Sequence, residues 1–241
     1  MSEQETVFDF GRPMPVFPLG QASLMPHSQL QIHVFEPRYR QLTRDILQSN
    51  GNLAIGVYDG DEWMDDDGGG GQGTPPALRP AVCIGHVIQH ERLSDGRYNL
   101  AVQGVCRAHL VREIPPAEHG KPYRLAYFKP VGVKSEEDVM SGERSRLTAL
   151  FAGTSLRDLR DAESIVEFLA DEDVSTSAIL ELVTFNLLPD PELRYTLLAE
   201  GNALRRSAII RTQLDAIRSL LDRAAPQKEA LAKLPKGIFN N

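Results

Sequence analysis

Between Ala81 and Pro116 the chain reads "AVCIGHVIQHERLSDGRYNLAVQGVCRAHLVREIPP", two long apolar segments around Asp95-Gly96. Asp-Gly tolerates the positive φ that tight hairpin turns need, so the two segments are expected to pair as antiparallel strands. Alternation supports this: Tyr98, Leu100 and Val102 fall on one face, and Asn99, Ala101 and Gln103 on the other. Gly104 interrupts the second segment where a bulge or kink is expected. Shorter extended segments flank this hairpin: "PVFPLG", "LQIHVF" and "NLAIGVYDG" before it, "PYRLAYFKPVGV" after it. About six strands with few helices predict a small closed barrel or paired sheet.

One helix interrupts the β-rich part, and it begins at a crowded corner. In "IHVFEPRYRQL", Ile32 and Val34 share one strand face while His33 and Phe35 share the other. Pro37 suits the first helical position, where its missing N–H costs nothing. Proline also pushes the residue before it, Glu36, toward extended geometry, so a strand-to-helix junction is what the chemistry prefers. A carboxylate at Glu36 is favoured by the helix dipole and can cap free N–H groups. Arg38 and Arg40 can pair with acids on neighbouring elements, and Tyr39, Leu42 and Ile46 fall on one helical face. No Ser, Thr or Cys stands beside this group to act as a nucleophile, so it reads as a structural corner.

From about residue 135 the period changes to helical. "SGERSRLTALFAG", "DAESIVEFLAD", "STSAILELVTFNLLP" and "DPELRYTLLAEGN" each read as a helix, the last with Asp190 as cap, Pro191 in the first turn and Gly201 as stop. "ALRRSAIIRTQLDAIRSLLDRA" places Ile210, Leu214, Ile217 and Leu221 on one stripe suited to core packing. The expected division is a tail over 1–12, a β-barrel over 13–134 with an acidic Gly-rich loop at 59–81, a helical subdomain over 135–225 and a tail over 226–241.

Charge and composition remove several function classes. Hydrophobic residues make up 41% and charged residues 24%, so the chain can bury a core and wholesale disorder is not expected. The net charge of −7 argues against a broad nucleic-acid footprint. It is unevenly spread: residues 1–134 carry −2, residues 135–200 carry −10 and residues 201–241 carry +5, so the middle and the end have reason to pair. No apolar run reaches the roughly 18–20 residues of a membrane span, and the acidic start "MSEQETVFDFGRP" is unlike a secretory signal. Cys83 and Cys106 both lie in apolar strand-like segments and are expected as reduced core thiols. A cytoplasmic location follows as the expectation.

Motifs that would carry catalysis do not hold up. Gly68, Gly70 and Gly73 spell G-x-G-x-x-G, but three aspartates precede them and Pro75-Pro76 follow where a helix should open. An EF-hand register from Asp59 or Asp61 meets Gly70 or Gln72 where Glu is required. His86 and His90 lie four apart on a strand, about 13 Å, too far to share one metal. P-loop and nucleophile-elbow motifs are absent from the chain. No catalytic, cofactor-binding or metal-binding residue is assigned and no cofactor is expected. In the acidic loop, Trp63 and Met64 form an apolar pair that makes a candidate polypeptide contact.

The same residues carry a resemblance. "MPVFPLGQASLMPHSQLQIHVFEPRYRQL" resembles the opening of the N-terminal, substrate-recognition domain of Lon proteases, where an "FPL" segment leads into an "HIFEPRY"-like corner. "CIGHVIQHERLSDGRYNLAVQGVCRAHLV" is similar to that family's later hairpin, with its "DGRY" turn and "QG..R" strand. "LLPDPELRYTLLAEGNALRRSAII" resembles the helical segment that closes the domain. On this resemblance His33, Phe35, Glu36, Pro37, Arg38 and Tyr39 form the family's structural corner.

The resemblance implies an α+β fold: a PUA-like small β-barrel followed by a C-terminal helical bundle. It implies a non-enzymatic protein-binding role, because the P-loop ATPase and Ser-Lys protease modules of full Lon proteases are not seen in this sequence. The expected partner is a polypeptide, unfolded or tagged, with the protein serving as an adaptor in protein quality control. A membrane or nucleic-acid partner is not expected. The alternative reading is RNA binding through the basic last helix, with Arg205, Arg206, Arg211, Arg218 and Arg223.

Overall fold

The computed structural model describes residues 8–20, 23–60, 76–132 and 137–232. The described residues hold six strands: β1 (Met14–Leu19), β2 (Gln29–Val34), β3 (Asn52–Val57), β4 (Ala81–Arg92), β5 (Tyr98–Ile114) and β6 (Arg124–Val131). The helices are α1 (Pro37–Leu47), α2 (Pro116–His119), α3 (Glu137–Phe151), α4 (Ala162–Ala170), α5 (Thr176–Leu187), α6 (Pro191–Ala199) and α7 (Ala203–Ala232). They form two compact units: the strands with α1, α2 and α6, and the helical set α3, α4, α5 and α7.

In the first unit every segment expected to be extended is a strand. The pairings β1–β3, β3–β4, β4–β5, β5–β6 and β6–β1 close a five-membered ring in which only β1–β3 is parallel. The sixth strand, β2, stands outside the ring and, among the described residues, pairs only with β5. The architecture is therefore α+β with a mixed sheet, and less regular than an up-and-down barrel.

A single long strand allows this arrangement. The first half of β5, Tyr98–Gln103, pairs with β2, and its second half, Arg107–Ile114, pairs with β6. The changeover falls at Gly104. There the ladder to β4 steps from Gly85↔Gly104 to Ile84↔Cys106, leaving Val105 unpaired as a bulge. Glycine is required because a Cβ on residue 104 would sit 2.0 Å from the carbonyl oxygen of Met25. Inside the ring Met14, Val16, Ala54, Val82, Ile84, Ala108, Ala126 and Phe128 pack together, contributed by all five strands. Burial of this set is the main driving force for closing the ring.

Helix α6 follows three helices in sequence yet belongs with the strands. The hydroxyl of Tyr195 accepts from the Ala81 backbone N–H at 2.9 Å. The buried Arg107 guanidinium donates to the Leu197 carbonyl at 3.4 Å. Locally the helix starts as expected: Asp190 accepts from the N–H groups of Glu192 and Leu193, with Pro191 in the first turn.

The helical unit packs Leu147, Phe151, Ile165, Ile179, Val183, Ile210 and Leu214 into its core. Two polar devices run through it. Arg144 donates to the carbonyls of Phe168 and Leu169 in the last turn of α4 and of Asp171 and Val174 just after it, adding donors where a helix end is short of them. Charged pairs are also buried: Glu181 lies 3.3 Å from Arg206, and Glu143 accepts from Ser207 at 2.6 Å and pairs with Arg211 at 3.1 Å. The acidic middle and the basic end of the chain thus do meet, inside this unit.

Two details depart from the sequence-based picture. The four-residue α2 had no sequence signal. Helix α7 continues to Ala232 through Pro226, where a tail was expected to begin. Proline removes one intrahelical N–H donor there, but the turns on either side keep their own ladders.

Candidate functional site

The strand-to-helix corner is built much as its residues suggest. Glu36 is extended, at φ −64° and ψ 135°, as the following proline demands, and Pro37 opens α1. The carboxylate of Glu36, however, does not cap the helix. It accepts instead from Arg38 Nε at 2.7 Å, because a guanidinium two residues away is a stronger partner than a neutral N–H. Arg38 lies 5.1 Å over the Tyr39 ring, and Tyr39 packs on Phe17 with centroids 4.5 Å apart. Burial, then the charge and hydrogen bond of Tyr58 at 3.2 Å, push the Tyr39 hydroxyl well above the ordinary phenol range.

The other half of the corner faces outward. Phe35 is 44% exposed, and its ring lies nearly parallel to that of His33 at 6.3 Å. His33 Nε2 sits 3.2 Å from Arg97, which can only donate, so Nδ1 carries the imidazole proton and donates to Asn99 Oδ1 at 2.8 Å. Asn99 in turn donates to Glu91 at 2.9 Å. The result is a polar surface chain across β2, β5 and β4, with an exposed aromatic ring at one end. It positions no nucleophile.

A second feature is a cleft of about 400 Å³ lined by Val57, Tyr58, Asp59, Gly60, Arg79 and Glu192, among others. Arg79 donates to both carboxylate oxygens of Glu192, at 2.6 and 3.0 Å, and lies 3.4 Å above the Tyr195 ring. Its charge is neutralised within the cleft, which suits water and polar backbone better than an anion. Sequence reasoning missed this trio, since Arg79 and Glu192 are 113 positions apart and nothing local marks them as partners.

Trp63, Met64 and the glycine-rich run lie outside the described residues. His86 bonds Asn52 at 2.8 Å as an ordinary strand histidine. Among the described residues no three His, Cys, Asp or Glu side chains could hold a metal ion, and no helix is long and apolar enough to cross a membrane. Cys83 and Cys106 carry free thiols, and burial, opposed by the Arg107 charge, pushes the Cys106 thiol up to about 11, leaving it a poor nucleophile at neutral pH. On α7, Arg206 and Arg211 face buried acids and Arg218 pairs with Asp215 at 2.7 Å, so the basic stripe is largely spent within its own unit.

No curated protein matches the chain. Among solved structures it is similar to the N-terminal domain of a Mycobacterium avium complex Lon protease, with a TM-score of 0.64 and 14% identity over 85% of this chain and 98% of the other. It is also similar to a Lon N-terminal domain protein from Xanthomonas campestris, with a TM-score of 0.55 and 17% identity over 85% and 97% of the two chains. At these identities the likeness concerns the fold. The family description "ATP-dependent protease La (LON) substrate-binding domain" matches residues 13–216, which takes in both the ring of strands and most of the helical unit. The chain belongs to the Lon substrate-binding domain family.

Proposed function

We propose that this protein is a non-catalytic module that captures polypeptides, unfolded segments among them, and serves as an adaptor in protein quality control. The observation that carries the reading is the family match over residues 13–216, which implies a substrate-recognition role. The surface is consistent with it: in the strand unit Phe35, Ile88 and Val111 are large apolar side chains left 44%, 51% and 63% exposed. Such residues add contact area to a partner that carries its own apolar side chains, and that term is little screened by salt.

The test is a fluorescence-anisotropy titration against a labelled, permanently unfolded (reduced and alkylated) protein, with a single-stranded RNA run in parallel. Saturable binding to the polypeptide that changes by less than about threefold between low and moderate salt supports the proposal. Binding confined to RNA, and falling steeply with salt, would replace it with nucleic-acid recognition. An absence of binding to either probe would reject it.

A further inference from the structure

Among the described residues, the outermost strand of the sheet has an unguarded edge. Strand β2 pairs with β5 on one side, and among the described residues no strand pairs with its other side. The ladder fixes which groups face outward. Gly104 N–H donates to the Ser28 carbonyl at 2.8 Å, and extending the Gln29↔Gln103 register by one residue sets Ser28 opposite Gly104. In an antiparallel pair the bonded positions recur every second residue, so Leu30, Ile32 and Val34 direct their backbone groups to β5. Gln29, Gln31 and His33 therefore turn three N–H and three C=O groups away from the sheet. All three residues are exposed.

Natural edge strands are usually protected by lysine, proline, a bulge or an inward charge. "QLQIHV" has none of these: it carries no proline and no Asp, Glu, Lys or Arg, and its register with β5 runs unbroken over six residues. We propose that the free edge of β2 binds an extended polypeptide segment by strand addition. The inference rests on the polypeptide-recognition reading above and assigns it a surface.

The chemistry of the occupant follows from the edge. Its backbone must be extended and must offer N–H groups, which excludes proline at the paired positions. Its side chains must alternate. One row lies beside the polar Gln29, Gln31 and His33. The other continues the row of half-buried Leu30 and buried Ile32 and Val34, so it is apolar. An edge without formal charge in β2 itself favours an uncharged segment. Such alternating stretches are exposed in unfolded chains and hidden in folded ones.

The experiment uses the full chain and a labelled peptide of about ten residues, alternating valine and threonine between terminal lysines. Gln31→Pro removes one outward N–H and blocks close approach, while leaving every bond to β5 in place. Expected is saturable binding by the parent protein, at least about tenfold weaker binding by Gln31→Pro with an unchanged melting temperature, and none by a peptide N-methylated at every valine and threonine, which has no paired donor on either edge. Should Gln31→Pro fold poorly, hydrogen exchange on the parent protein decides: the amides of Gln29, Gln31 and His33 are expected to slow by at least about tenfold with saturating peptide.

Equal binding by Gln31→Pro, or unaltered exchange at these amides, would overturn the strand-addition site. If Gln31→Pro still binds the reduced and alkylated protein like the parent, recognition stands and only the edge is wrong. If the parent binds neither the peptide nor the unfolded protein, both readings fall. A parent protein that is dimeric by sedimentation and made monomeric by Gln31→Pro would show the edge occupied by a second copy instead.

Discussion

The strand unit and the helical unit solve the burial of polar groups in opposite ways. In the strand ring the backbone ladder satisfies its own donors and acceptors, and the enclosed side chains are apolar or aromatic. Its Arg79–Glu192 and Lys121–Asp45 pairs each keep one partner well exposed, and Arg38–Glu36 leaves both partners partly open to water. The helical unit places Glu181 and Arg206 at 2% and 5% exposure, 3.3 Å apart. A sheet fixes its register through hydrogen bonds between neighbours. Packed helices have no such ladder, and a buried ion pair is one way to select one alignment over its slipped alternatives.

The largest effect expected from this contrast is in the helical unit. Glu181→Ala removes the carboxylate 3.3 Å from the buried Arg206 guanidinium and should cost about 3–5 kcal/mol of stability, read from urea unfolding at 222 nm. The double replacement Glu181→Leu with Arg206→Met should be close to neutral or stabilising, because both desolvation costs vanish together. If the double variant were as damaged as the single one, the pair would be contributing net energy rather than specificity.

Next in size is a steric change in the strand unit. Gly104→Ala places a methyl 2.0 Å from the Met25 carbonyl, at the point where β5 exchanges β2 for β6. About 2–3 kcal/mol should be lost by overpacking. The damage should be greatest for the β2 amides in hydrogen exchange; a uniform loss across the ring would show that the changeover is not a local hinge between two pairings.

The smallest effect concerns acid. Burial alone would raise the Glu143 carboxyl, but the Ser207 hydroxyl and the Arg211 and Arg146 guanidiniums outweigh it and hold the group below the ordinary range. A depressed folded-state value means that this stabilisation is full above the unfolded value of about 4.3 and is lost as pH falls through the folded one. Glu143→Gln should therefore lower stability by about 1 kcal/mol at neutral pH and flatten the acid limb of the helical signal. An unchanged acid limb would assign that sensitivity to other carboxylates.

Much of the fold was legible because its signals are short-ranged. Alternation announced the strands, Asp95-Gly96 announced the hairpin, and Asp190-Pro191 announced the start of α6. The candidate surface was only half legible. The outward pairing of His33 with Phe35 could be read from strand parity, whereas the failure of Glu36 to cap its helix could not, since a competing guanidinium decided it. Arg79, Glu192 and Tyr195 had no sequence signal as a group.

By itself, then, the sequence determined which segments extend, which coil and where each turns, since those choices rest on residues within a few positions of one another. Only the tertiary structure decided that β2 stands outside the ring with one edge open among the described residues, that α6 joins the strands, and that the acids of the middle and the arginines of the end are buried together. Those outcomes depend on partners far apart along the chain: charge counts gave the middle and the end reason to pair, but neither they nor strand periodicity and helix capping encode which residues pair or that the pairs are buried.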